Sequence, residues 1–287
     1  FMSTVDQFES VFKAAAKSTY LHEHPPLNKV LLVSDLGQSE ALLYLKLVQQ
    51  FFSSILAGET IEWIALSKQD FDSVKDLLGK VEEHRPDLII TYRNLRSEAW
   101  RWPYSLGEYL DVLTQVTTTP VVVLPHPDRD DSSDLLASPP VNIMAVSGHM
   151  CGEGNLVKYA SAFTPKGGKL ILSHIEDKST LERFLDAIEK IPEIDSDVAR
   201  ENVLNRLLKD AKDYSESASV GLNEAGLEIE VNVVAQVGRR LEDYRNLIEE
   251  GHVDLLVMRA KEDDQMAMHG MAHPLAVELR SVPILLL

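Results

Sequence analysis

The chain has 287 residues, of which 45% are hydrophobic and 25% charged, a globular composition and not a disordered one. Lys and Arg total 28 against 45 Asp and Glu, a net charge of −17. That balance speaks against coating nucleic acid or an anionic membrane, both of which need clustered cations. A single cysteine, Cys151, cannot form an internal disulfide, and no apolar run approaches the roughly 20 residues of a membrane span. Phe1–Asp6 lacks the basic-then-apolar order of a secretory leader, so the expectation is a cytoplasmic protein.

In chain order, residues 3–20 read as an amphipathic helix capped by Ser3, with Val5, Phe8, Val11, Phe12 and Ala15 on one face. Residues 1–27 are thus an N-terminal helical extension. Strand 30–34 follows, then helix 38–53 with Ala41, Leu42, Leu45, Leu47 and Val48 as its apolar face. Next come strand 61–66, helix 70–84 started by Ser67 or Asp70, strand 87–92, helix 105–116 and strand 120–124. Residues 126–140, rich in Pro, Asp and Ser, read as a linker. Beyond it the order is strand 141–147, helix 153–163, strand 168–175, helix 197–218, strand 227–236, helix 239–250, strand 254–259, helix 271–280 and strand 283–287.

The second series repeats the first. Val30-Leu31-Leu32-Val33-Ser34 returns as Ile143-Met144-Ala145-Val146-Ser147, and Asp87-Leu88-Ile89-Ile90 returns as Asp254-Leu255-Leu256-Val257. Pro120-Val121-Val122-Val123-Leu124 returns as Pro283-Ile284-Leu285-Leu286-Leu287, with Gly107 and Gly270 each 13 residues before the proline. The apolar runs are continuous, as in strands buried on both faces of a parallel sheet. Strands alternating with helices give an α/β class: two Rossmann-like domains with parallel five-stranded sheets, residues 28–125 and 141–287, the first one strand shorter. The closing strands 121–124 and 284–287 would otherwise leave apolar edges. They are expected to pair with each other as an internal pseudo-dimer, with a homodimer as a further option.

These features resemble the universal stress protein family, whose domains belong to the adenine nucleotide alpha hydrolase-like group. The resemblance rests on Asn155–Ala160 after an opening strand, Lys169–Ile175, Val237-Gly238 before a helix, Asp254–Met258 and Val282–Leu286. It covers nearly all of 141–287 and, more weakly, 28–125, and it implies a tandem, two-domain member of that family. ATP-binding members place an aspartate at the end of the first strand and a Gly-x2-Gly-x9-Gly-Ser/Thr loop after the fourth. Carried onto the first half, the resemblance implies an adenine-nucleotide site from Asp35, Asn94, Ser97 and Gly107, with Asn94 and Ser97 where two glycines belong and Glu108 in place of Ser/Thr. In the second half Ser147 replaces the aspartate, Met271 follows Gly270, and the loop from Asp254 to Gly270 spans 16 residues against 20 from Asp87 to Gly107. ATP binding in the usual manner is therefore expected to be impaired or absent.

Two further constellations stand out. Arg93, Arg96 and Arg101, interleaved with Trp100, Trp102 and Tyr104, suit an anionic ligand with a flat ring, but packing of Trp100 and Trp102 against the other domain or a partner, with the arginines solvated, is the favoured reading. His149, Cys151, His269 and His273 have ligand types that zinc prefers, without a standard metal spacing. No nucleophile elbow, Walker-type loop or His-Glu-x2-His is present. The expectation is a non-catalytic, stress-related regulatory or binding protein. The alternative is an adenine-nucleotide-binding protein with slow phosphohydrolase activity at the first-half site.

Overall fold

A computed structural model describes residues 20–56, 61–102, 104–129, 132–148, 150–190, 196–260 and 272–287. The helix read over 3–20 lies outside these residues but for Tyr20, which is buried and donates its N–H to Ser217 Oγ at 3.3 Å.

The first half runs β1 (Lys29–Val33), α1 (Gln38–Phe51), β2 (Glu62–Leu66), α2 (Val74–His84), β3 (Leu88–Tyr92), a 3-10 turn (Glu98–Arg101), α3 (Glu108–Val116) and β4 (Val121–Leu124). A one-turn α4 (Ser132–Leu135) lies within the stretch read as a linker, where His126 and Leu136 are buried. The second half runs β5 (Asn142–Ser147), α5 (Gly154–Ala162), β6 (Lys169–Asp177), α6 (Lys178–Ile188), α7 (Ser196–Glu224), β7 (Glu230–Gly238), α8 (Arg240–Glu250), β8 (Leu255–Met258), α9 (Ala272–Glu278) and β9 (Ile284–Leu286).

The strands form one nine-stranded sheet in the order β2-β1-β3-β4-β9-β8-β5-β6-β7. Every pairing is parallel except β4 with β9, which run antiparallel in the register Val121↔Leu286, Val122↔Leu285 and Val123↔Ile284. The closing strands therefore cover one another, and two apolar edges become the buried centre of the sheet. The contact between halves extends onto a helical layer, where Phe52 and Phe163 meet edge-to-face at 5.9 Å, both fully buried.

The strand starts are held alike in both halves. Asp87 Oδ2 accepts the N–H groups of Asn28 and Lys29 at 2.8 and 3.0 Å. Asp254 Oδ2 accepts those of Val141 and Asn142, both at 2.8 Å. Each carboxylate ties the entry of its strand to the entry of the neighbouring one.

Some local expectations change. On α1 the buried residues are Ala41, Tyr44, Val48 and Phe51, whereas Leu42, Leu43 and Leu47 face outward. Helix α2 starts later than read: Ser73 is its N-cap and exchanges hydrogen bonds with Asp76, while Asp70 instead receives the Ser67 N–H and hydroxyl. Helix α7 runs on to Glu224 through Gly221, where a side chain would meet Tyr20 O at 3.0 Å, so glycine there makes room for the N-terminal segment. Among the described residues no helix is long and apolar enough to cross a membrane.

Candidate functional site

In a doubly wound sheet the ligand crevice lies beyond the C-terminal strand ends where the strand order reverses. That point falls between β1 and β3 in the first half and between β5 and β8 in the second.

In the first half Asp35 leaves β1 at the crevice, as its position in the sequence implies. Both oxygens of its carboxylate are occupied. Tyr92, the last residue of β3, donates its hydroxyl to Oδ1, and the Arg96 N–H donates to Oδ2 at 2.5 Å. The Asp35 N–H returns to the Tyr92 hydroxyl oxygen at 3.0 Å. Burial and the adjacent Asp35 charge push the Tyr92 phenol well above its ordinary range, so it remains a neutral donor. Tyr92 was not a site candidate in the sequence, where it reads as one more apolar strand residue.

The loop after β3 folds upon itself. Asn94 (φ 57) and Arg96 (φ 58) adopt left-handed backbone, unusual for residues with a side chain. The Asn94 N–H donates to Leu106 O at 2.8 Å, and its amide group contacts Ser105. Gly107 has φ 94, and a Cβ there would lie 2.7 Å from Asn94 Cα. The proposed glycine equivalents Asn94 and Gly107 are thus brought together, in contact with each other. Ser97 instead caps the 3-10 turn, its Oγ accepting the Ala99 N–H at 3.1 Å. Helix α3 begins with Glu108 and Asp111 in its first turn, so carboxylates occupy the electropositive helix end that phosphate would seek.

The three arginines separate. Arg96 reaches the carbonyls of Lys68 and Phe71, lies 5.0 Å over the Phe71 ring and pairs with Asp72 at 3.7 Å. Arg101 pairs with Glu98 at 2.7 Å. Arg93 is only 4% exposed and donates Nη2 to Leu279 O at 2.6 Å, across the boundary between the halves. The aromatics separate too. Trp100 stacks on His126 with 4.8 Å between centroids and 11° between planes, and His126 meets Tyr92 edge-on at 5.0 Å. Trp102 and Tyr104 are exposed. His126 was not foreseen as part of this cluster. Its Nδ1 accepts the Asp128 N–H at 3.2 Å, and burial holds its pKa below the ordinary histidine value.

The second-half crevice is built differently. Ser147 ends β5, and its carbonyl accepts His174 Nδ1 at 3.2 Å and the Tyr244 hydroxyl at 3.4 Å. Tyr244 also accepts the Ile175 N–H at 3.0 Å, and burial raises its phenol to about 12. His174 Nε2 lies 3.5 Å from Glu176. Arg259 pairs with Glu153 at 3.4 Å. Of the zinc candidates, Cys151 is exposed and its thiol is raised by partial burial and the charge of Asp210, while His273 is exposed on α9. His149 and His269 lie outside the described residues. Among the described residues no cluster of three or more His, Cys, Asp or Glu groups is arranged to hold a metal.

No family model and no curated protein sequence matches the chain. Solved structures do. A universal stress protein from Archaeoglobus fulgidus DSM 4304 superposes at a TM-score of 0.51 and 11% identity, over 91% of this chain and 98% of the other. A functionally unknown protein from Pseudomonas aeruginosa PAO1 gives 0.47 at 12% identity, over 100% and 88%. A provisionally assigned universal stress protein from Pseudomonas aeruginosa UCBPP-PA14 gives 0.45 at 12% identity, over 100% and 89%. The continuous buried strands, the alternation with helices and the Archaeoglobus superposition agree, and the chain shares the α/β fold of a universal stress protein.

Proposed function

We propose that the chain is a tandem protein of universal-stress type. Residues 28–125 and 141–287 are two copies of one fold, joined by 126–140 as a pseudo-dimer through β4 and β9, with 1–27 as an extension. It acts in the cytoplasm as a non-catalytic, stress-related binding or regulatory protein, and neither half takes adenine nucleotide in the way that the resemblance implies. The observation that carries this reading is the Asp35 carboxylate, filled on one oxygen by the Tyr92 hydroxyl and on the other by the Arg96 N–H.

A nucleotide engaging Asp35 must first break those bonds. Leaving a buried hydroxyl without a partner costs about 1–3 kcal/mol, and the released Asp35 and Arg96 groups must be satisfied again. The contact between Gly107 and Asn94 leaves no backbone cradle of the glycine-rich kind, and Glu108 and Asp111 repel a phosphate at the start of α3. In the second half the aspartate is absent altogether; by the strand registers Ser147 matches Ser34, and Gly148 stands where Asp35 is in the first half.

Isothermal titration with adenosine, ATP and inorganic phosphate tests the reading. The expected result is no saturable heat from adenosine at millimolar concentration, and no heat from ATP beyond that of phosphate. Saturable ATP binding tighter than phosphate binding, abolished by Asp35→Ala, would overturn it in favour of a nucleotide-binding protein.

A further inference from the structure

The sheet ends in two strands of different character. At one end β2 spans five residues, Glu62–Leu66, and opens on Glu62, which pairs with Lys29 at 3.1 Å. At the other end β7 spans nine residues, Glu230–Gly238, and its only sheet neighbour among the described residues is β6. A terminal strand offers a row of unpaired N–H and C=O groups, which shortness, charge, proline or a bulge ordinarily protects from other chains. The stretch Val231-Asn232-Val233-Val234-Ala235-Gln236-Val237 holds neither a charge nor a proline. Its register with β6 runs unbroken from Lys169↔Glu230 to Asp177↔Gly238, so no bulge turns the edge aside.

The direction of the backbone groups follows from one bond. The Glu230 N–H donates inward to Gly168 O at 2.9 Å. Successive residues of a strand turn their backbone groups to opposite sides, so those of Asn232, Val234, Gln236 and Gly238 also face β6. Those of Val231, Val233, Ala235 and Val237 face outward, and they have no hydrogen-bond partner among the described residues. The edge is also accessible. Residues 231–238 are all partly exposed, on both faces of the strand, whereas β8 is buried throughout. Neither helical layer closes over β7.

We propose that β7 is the interface to a second copy of this chain, paired antiparallel with the same strand across a two-fold axis. The chain already joins its own halves in this manner, β4 against β9. The outward residues set the register. Matching Val231 with Val237 and Val233 with Ala235 uses all of them in both copies and places Val234 on the axis, opposite its own counterpart. A shift of two residues either way leaves one outward residue of each copy unmatched. Each matched pair exchanges two N–H···O bonds, and a two-fold contact closes as a dimer without growing into a fibre. The charges agree with the same register. Glu230 falls opposite Gly238 and beside the exposed Arg239, once at each end, so opposite charges flank a neutral strand in a protein of net charge −17. The interface lies at the far end of the sheet from β1 and β3 and does not involve the Asp35 crevice.

The test is sedimentation velocity of the full chain over a concentration series, joined to disulfide trapping. The chain is expected to pass from monomer to dimer as concentration rises. Ala235→Pro removes one outward N–H from each copy and spares the bonds to β6, so it is expected to weaken the dimer by at least about tenfold with the circular dichroism unchanged. Glu230→Arg, which sets like charges together, is expected to weaken it about threefold, and the double variant Glu230→Arg with Arg239→Glu to restore it. In a Cys151→Ser background, Val234→Cys is expected to form a covalent dimer on mild oxidation, because facing residues at such a position lie about 4.5 Å apart between Cα atoms, within disulfide reach. Val231→Cys, remote from its counterpart in this register, is expected not to. Trapping decides the matter even where the proline variant fails to fold. A monomer throughout the series, an unaltered dimer in folded Ala235→Pro, or equal trapping from positions 231 and 234 would overturn the proposal.

Discussion

The two halves agree at the start of their strands and diverge at the end. At the entry edge Asp87 and Asp254 do the same work, each accepting two backbone N–H groups from the strand beside it. At the exit edge the first half presents Asp35, locked by a tyrosine of the adjacent strand, and the second presents Ser147, whose carbonyl is covered by a tyrosine from helix α8. The contrast teaches where the fold and the chemistry reside. Pairing between strands needs the entry residues in both copies, whereas the crevice end tolerates different side chains as long as each polar group finds a partner. Tyr92 and Tyr244 are two solutions to that demand.

The comparison is open to mutation, beginning with the largest effect. Gly107→Ala places a Cβ 2.7 Å from Asn94 Cα at a positive φ and is expected to destabilise the first half by about 3 kcal/mol in chemical denaturation. Asp87→Ala and Asp254→Ala are each expected to cost about 2 kcal/mol through loss of two charge-assisted bonds. Because the two sites are independent, the double variant is expected to sum to within about 0.5 kcal/mol; a large departure would show that the halves do not play equivalent parts. Tyr92→Phe strands one oxygen of Asp35 and is expected to cost about 1.5 kcal/mol, against about 1 kcal/mol for Tyr244→Phe, whose hydroxyl serves only backbone groups. Equal losses would remove the distinction between the two crevices.

The smallest effect is a pH dependence confined to the first half. Burial lowers the His126 pKa below its unfolded value near 6.5, so the folded state resists the proton that the unfolded state accepts. The contribution is fully present above about pH 6.5 and is lost as pH falls from there through the folded pKa, at no more than about 1.4 kcal/mol per pH unit. His126→Gln is expected to flatten that portion of the stability profile, measured by denaturant unfolding between pH 7.5 and 5.

Much of the fold is legible in the residues, because a strand buried on both faces must be apolar throughout and therefore announces itself. The antiparallel orientation of β4 against β9 is not written in either strand, since both are uniformly apolar. The face of α1 is less legible. Leu42 and Leu47 look like core, yet Tyr44 and Phe51 take that place, Tyr44 meeting Tyr92 of β3 edge-on at 5.8 Å. Helix α6 carries Leu181 and Leu185 one turn apart, both buried, in the stretch between strand 168–175 and helix 197–218 where no element is expected. At the crevice, Asp35 is placed by the resemblance, and what hydrogen-bonds it is not: the Tyr92 hydroxyl and the left-handed turn at Arg96 emerge only when β1 and β3 lie side by side. Arg93 is legible as a cation and illegible as a buried one, because its burial depends on the second half closing over it.

The central claim, that the first-half crevice is sealed by its own side chains, is tested most directly by a crystal structure grown with millimolar ATP and magnesium. The account predicts Asp35 still bound to the Tyr92 hydroxyl and the Arg96 N–H, with no adenine between β1 and β3. An adenine or ribose in that crevice, with Asp35 released from Tyr92 to meet it, would contradict the account.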